Sequence, residues 1–346
     1  MRKIEVYDIE TIAGVFSYVG YNIDSKELNT FIIHESKNQL NELVSHILSL
    51  SGMIGYNNLG FDYPILHYII KNYENWQSWS NRDVISAIYN KAQEIIESQS
   101  FDTRFSNNIK TKDILVEQLD LFKIWHFDNQ AKLTSLKALE ISMNYPNVME
   151  MNMPHNTLYV TEEQVEELLK YNINDVLATH AFYLLSKDKI NLRLQLKEKY
   201  KLDCLNYSDS KIGEELVLDL YAKATKQNKW DIKKAGGTNN DVIHLKDCIF
   251  DYIEFKTPIF NRLLNDLKSK FVKTTKDKID TSVIYKGFKY DYGLGGIHGS
   301  IKAGVYESDD KYIIVDADVA SLYPSIAVIN NLYPSHLGSK FCEVYK

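Results

Sequence analysis

A chain of 346 residues, 45% hydrophobic and 25% charged, has the apolar material for two domains with real cores. Six prolines and fifteen glycines exclude a largely disordered chain, and no run approaches the roughly 18 apolar residues of a membrane span. The net charge of −6 is uneven: residues 1–190 hold 16 Lys and Arg against 25 Asp and Glu, residues 191–280 hold 18 against 14, and residues 281–346 hold 6 against 7. An acidic total does not exclude a phosphate-bearing partner, because such binding needs local basic surface. Lys268, Lys270, Lys273, Lys276 and Lys278 form one basic stretch, to be read as such a surface or as a solvated loop. Cys204, Cys248 and Cys342 lie far apart with no zinc-ligand spacing, as expected of reduced thiols. The N-terminus carries Glu5 and Asp8 in its short apolar stretch and is no signal peptide, so a soluble, cytoplasmic protein is expected.

In chain order, Ile4 to Glu10 reads as a strand, and Met53 to Tyr56 as a second. Residues 83–97 place Val84, Ile88, Ala92, Ile95 and Ile96 at helical spacing. Residues 114–125 fit a strand or a buried helix, and the sequence does not arbitrate. The clearest helix begins at Thr161, which with Gln164 fits a capping box, and runs to about Leu185. Its first turns carry Glu162, Glu163, Glu166 and Glu167, which the helix dipole favours. Further helices are expected over 211–223 and 259–270. Tyr312 to Val315 reads as a buried strand leading into Asp316-Ala317-Asp318.

Asp8 and Glu10 are two apart on a strand and so share a face. Asp62, in Asn58-Leu59-Gly60-Phe61-Asp62, falls where a strand gives way to a helix. Tyr171 and Asp175 are four apart on the long helix and so adjacent on its surface. Taken singly, these are surface acids, a helix cap and an interfacial tyrosine. As an ordered set, Asp-Ile-Glu-Thr, Asn-x-x-Phe-Asp and Tyr-x-x-x-Asp resemble the DEDDy exonucleases, the proofreading module of family B DNA polymerases. The resemblance covers residues 1 to about 190. It implies an α/β, RNase H-like exonuclease domain with a mixed sheet. It also implies that Asp8, Glu10, Asp62 and Asp175 hold two Mg²⁺ ions, with Mn²⁺ as a substitute, and that Tyr171 positions the attacking water. Asn58 and Phe61 would line the path of a single-stranded 3′ end. Asp120 is a secondary acid with a structural role expected.

Asp318-Val319-Ala320-Ser321-Leu322-Tyr323-Pro324-Ser325 resembles motif A of the same polymerases. The resemblance makes Asp318 a palm metal ligand, with Ser321, Leu322 and Tyr323 at the incoming nucleotide and Tyr323 excluding a ribose 2′-hydroxyl. Asp316 does not fit the motif spacing. Tyr292, Gly295 and Gly296 resemble the tyrosine-glycine segment between exonuclease and palm, which contacts DNA; His298 beside them is read as structural. The implied organisation is exonuclease 1–190, connecting region 191–284 and the start of a palm 285–346. Family B polymerases carry a fingers lysine and an Asp-Thr-Asp motif after motif A. With neither before Lys346, this chain alone is expected not to polymerise DNA, whether it is one part of a split enzyme or a truncated one. The implied partners are primer-template DNA, a single-stranded 3′ end, a dNTP once the palm is completed, and a second chain carrying the rest of the palm, fingers and thumb. The wording is phage-like. A stand-alone 3′→5′ exonuclease with a vestigial palm and a non-catalytic DNA-binding remnant are the alternatives.

Overall fold

The computed structural model describes residues 3–98, 106–237, 242–274, 277, 279 and 281–346. It divides into two units, Met1–Glu215 and Leu216–Lys346.

The first unit is α/β. Alternating burial along β1 (Ile4–Ile12) sends Tyr7 and Ile9 to one face of a sheet and Val6, Asp8 and Glu10 to the other. The chain then meanders antiparallel through β2 (Val15–Asn22), β3 (Leu28–His34) and β4 (Lys37–Asn38). After α1 (Leu40–Ser49) it returns as β5 (Gly52–Gly55), parallel to β1 on its other side. Next come α2 (Asp62–Asn72) and α3 (Asn81–Ser98), then β6 (Gln118–Asp120), parallel to β5. The six-stranded mixed sheet therefore runs β4-β3-β2-β1-β5-β6.

Each face of the sheet is covered. Tyr7, Ile9, Phe16, Tyr18 and Ile33 pack against α1, α2 and α3 through Leu43, Ile47, Leu66, Ile69, Val84 and Ile88. The opposite face, with Val6, Val19, Ile54 and Leu119, packs against Leu139 of α5 (Leu136–Ser142) and Val176 and Phe182 of α6 (Glu162–Leu185). Between β6 and α5 lies the one-turn α4 (Leu121–Ile124), so the ambiguous 114–125 segment divides into a short strand and a short helix. The capping box at Thr161 forms as expected: its hydroxyl accepts from Gln164 N, and the Gln164 side chain accepts from Thr161 N. Helix α7 (Lys187–Tyr200) follows, its Arg193 buried and donating to the carbonyls of Tyr207, Lys189 and Ile124. Then comes α8 (Asp209–Thr225).

The second unit holds the short α9 (Lys229–Lys234), β7 (Ile243–His244), α10 (Leu245–Cys248) and the longer α11 (Pro258–Lys268). Strand β8 (Phe271–Val272) pairs with β7. A three-stranded antiparallel sheet follows: β9 (Thr281–Tyr285), β10 (Phe288–Gly293) and β11 (Gly296–Ser300). Helices α12 (Leu322–Ile329) and α13 (Lys340–Tyr345) close the chain.

The expected buried strand at 312–317 is not there. Tyr312, Ile313, Ile314 and Val315 are 63–79% exposed and belong to no strand; Tyr312 N–H donates to Asp309 Oδ1 and Ile314 N–H to Ser308 Oγ. A strand needs a neighbour's backbone groups and an apolar face to cover it, and no described segment supplies either. In the basic stretch, Lys270 is tied internally, pairing with Asp266 at 3.2 Å and donating to the Ile279 carbonyl at 2.9 Å. Lys276 and Lys278 lie outside the described residues. Cys204 and Cys342 are buried free thiols and Cys248 is exposed. No helix among the described residues is long and apolar enough to cross a membrane.

Candidate metal centre

Three elements bring the expected acids together. β1 supplies Asp8 and Glu10, the first turn of α2 supplies Asp62, and α6 supplies Asp175 with Tyr171 one turn earlier. One carboxylate oxygen each from Asp8, Glu10 and Asp175 lie within 4.8 Å of one another. Burial, then the charges of Asp62, Glu10 and Asp175, hold the Asp8 carboxyl well above the usual carboxylate range. Burial, then Asp175 and Asp62, push Glu10 up to about 8. Burial pushes Asp62 up to about 7, against the pull of backbone N–H groups at Asp62 and Ile9. Burial also raises Asp175, opposed by hydrogen bonding from Lys137 and Tyr171. Burial, then the Asp175 charge, raises the Tyr171 hydroxyl.

Like charges crowded this way are costly unless protons or cations lie among them. The donors are all carboxylate oxygens, which suit a hard divalent cation such as Mg²⁺ or Mn²⁺. Asp8, Glu10 and Asp175 therefore form a set that could hold a metal ion; Asp62, expected with them, lies outside that set, though its charge acts on Asp8 and Glu10.

The neighbours hold this set in place. Asn172 donates from Nδ2 to Asp8 Oδ2 at 3.0 Å. Asp120 is fully buried and accepts from the backbone N–H groups of Asn57, Leu59 and Phe122, so it caps α4 and fixes the loop that leads into Asp62. Burial raises its carboxyl to about 6. Asn58 is also fully buried, its Nδ2 donating to Gln118 Oε1 at 2.9 Å; the Tyr7 hydroxyl donates to the same oxygen. Gly55 makes room for it, since a Cβ there would stand 2.6 Å from Asn58 Cβ. Phe61, half-buried, immediately precedes α2 and packs on the core beneath it.

Lys137 and Glu140, both on α5, were missed in the sequence. Lys137 Nζ donates to Asp175 Oδ1 at 2.7 Å, lies 3.5 Å from Glu140 Oε2 and stands 4.6 Å from the Tyr171 ring centroid. Glu140 is only three residues away, but nothing in the spacing ties Lys137 to the acidic centre, since Tyr171 and Asp175 are 34 and 38 residues further along the chain.

No family model matches the chain, and no curated protein matches its sequence.

In the second unit, Tyr323 and the glycine segment meet: the Tyr323 hydroxyl donates to the Gly295 carbonyl at 2.8 Å. At Gly296, φ is +151°, and a Cβ there would contact that hydroxyl at 3.6 Å. With Tyr292 they line an apolar cavity of about 390 Å³, walled further by Ile249, Leu263 and Leu264. Ser321, at φ +54°, opens α12, and Leu322 is its first residue. Asp318 is exposed; its Oδ1 accepts from the neighbouring Val319 N–H at 2.9 Å. Asp316 and His298 are exposed too. Among the described residues, no acidic group joins Asp318 in a set able to hold a metal ion.

Proposed function

We propose that the first unit is a metal-dependent 3′→5′ exonuclease of the DEDDy type, with an RNase H-like fold, and that the chain belongs to a family B DNA polymerase acting in DNA replication. The observation that carries the reading is the convergence of Asp8, Glu10 and Asp175, with the Asp62 charge acting on the first two, beside Tyr171. The fold supports it. A mixed sheet covered by helices on both faces is what the resemblance implies, and here four antiparallel strands are extended by two parallel ones, with the acids on β1.

Held by these carboxylates, divalent cations such as Mg²⁺ would activate a water and stabilise the leaving oxygen of a phosphodiester. The protein's share is positioning. β1 and α6 fix the carboxylates on facing elements, and Asn172 orients Asp8. The Tyr171 hydroxyl, a turn from Asp175, serves as hydrogen-bond partner to the attacking water. Phe61 offers an aromatic face to an unpaired 3′ base.

For the second unit, the contact between Tyr323 and Gly295 supports a palm reading, because it joins the two segments that resemble polymerase motifs. In that reading Asp318 is a palm metal ligand, Ser321, Leu322 and Tyr323 meet a dNTP, and Tyr292, Gly295 and Gly296 meet primer-template DNA. The narrower reading, an exonuclease without a working palm, is favoured by the exposure and isolation of Asp318. Measurable dNTP binding that is lost in Tyr323→Ala would favour the palm.

Digestion of a 5′-labelled single-stranded oligonucleotide tests the exonuclease reading. A ladder shortening from the 3′ end is expected with Mg²⁺, abolished by chelation and absent from Asp8→Ala/Glu10→Ala. An intact oligonucleotide with well-folded wild type, in Mg²⁺ or Mn²⁺, would overturn it.

A further inference from the structure

Glu140 is fully buried, yet neither of its carboxylate oxygens has a hydrogen-bond partner. Leaving a buried carboxylate so exposed to its own desolvation is expensive, and an apolar side chain would fill the position at less cost. Among the described residues, the cation paired with it is Lys137, one turn back on α5, whose Nζ lies 3.5 Å from Glu140 Oε2. That is a long ion pair. The same ammonium spends its short hydrogen bond on Asp175 Oδ1, at 2.7 Å, and rests against the Tyr171 ring. Lys137 thus has two anionic anchors, and the nearer one is a candidate metal ligand.

We infer that Glu140 is a positioning residue, the second anchor that keeps the Lys137 ammonium in the site when the oxygens of Asp175 are otherwise engaged. The inference rests on the exonuclease reading of the acidic cluster. A carboxylate three residues along the same helix, held by the same backbone, stays in reach of Lys137 whatever Asp175 binds. The ammonium then remains beside Tyr171, where an anionic phosphate must be received. With Glu140 neutral, Asp175 is the one anionic partner left to Lys137 among the described residues, and the two uses of Asp175 compete.

Four full-length proteins test this: wild type, Glu140→Gln, Lys137→Met and the double variant. Gln is near-isosteric with Glu, so the core volume is kept. The first measurement is the denaturation midpoint in urea with chelator. The shift caused by Glu140→Gln is expected to be more favourable in the Lys137→Met background, where it removes a buried charge that has lost its partner. Equal shifts in both backgrounds would overturn the pairing. The second is the rate of 3′ shortening with Mg²⁺. Glu140→Gln is expected to lower kcat about tenfold with KM unchanged, and the double variant to be no slower than Lys137→Met. A Glu140→Gln protein as fast as an active wild type, or losses that multiply in full, would overturn the positioning role. A wild type that leaves the oligonucleotide intact would instead overturn the exonuclease reading, and the denaturation series would still decide whether the two side chains are coupled.

Discussion

Glu10 holds its proton up to about 8 against an ordinary 4.5, and Asp62 up to about 7 against 3.8. Between those values the folded, metal-free chain keeps protons that the unfolded chain has released. The contribution of these groups to stability is therefore greatest at acid pH and is lost as pH rises through about 7 to 8. Urea midpoints measured with chelator from about pH 5 to about 8.5 should show that loss, and Mg²⁺ should restore more stability at the alkaline end, where it displaces fewer protons. A Mg²⁺ effect that shrinks as pH rises would contradict it. At this scale the sequence was informative where spacing is short: two residues on a strand and four on a helix place Asp8 beside Glu10 and Tyr171 beside Asp175. It was silent on Lys137, whose meeting with Asp175 depends on how α5 packs on α6, and so on Glu140, which meets Lys137 there. The resemblance put Asn58 on the path of a 3′ end, but it is fully buried against Gln118, and the structural role expected of Asp120 takes the form of holding the 57–59 backbone; neither partner was legible, because they meet only once β5 and β6 pair.

Helix α6 carries both Tyr171 and Asp175, and its start is fixed by the reciprocal bonds of Thr161 and Gln164. Thr161→Ala removes one of them and should cost about 1 kcal/mol of stability in urea denaturation. Because the site lies on later turns, metal binding by the folded variant should be unchanged; weakened binding would mean that fraying reaches Tyr171. This helix was legible because cap, acidic first turn and apolar spacing agree. The 114–125 segment was not, since a three-residue strand and a four-residue helix are each too short to display a period. The apolar run at 312–315 misled for a related reason: periodicity reports what a segment could bury, while a strand also requires a partner.

The whole molecule comprises two units, and every residue of the acidic centre, with its anchors, lies in the first. Both faces of that unit's sheet are covered by its own helices. A fragment of residues 1–225, which keeps α8 whole, should accordingly unfold cooperatively and shorten a single-stranded oligonucleotide as the full chain does. A fragment that folds yet leaves the oligonucleotide intact, where the full chain shortens it, would show that the second unit takes part in the reaction.

The most direct test of the account is a calorimetric titration of the metal-free chain with Mn²⁺. Two ions per chain are expected at neutral pH, with protons released on binding, and binding should be lost in Asp8→Ala/Glu10→Ala. A folded wild type that binds no Mn²⁺, or a double variant that binds it as the wild type does, would show that the converging Asp8, Glu10 and Asp175 are not a metal centre.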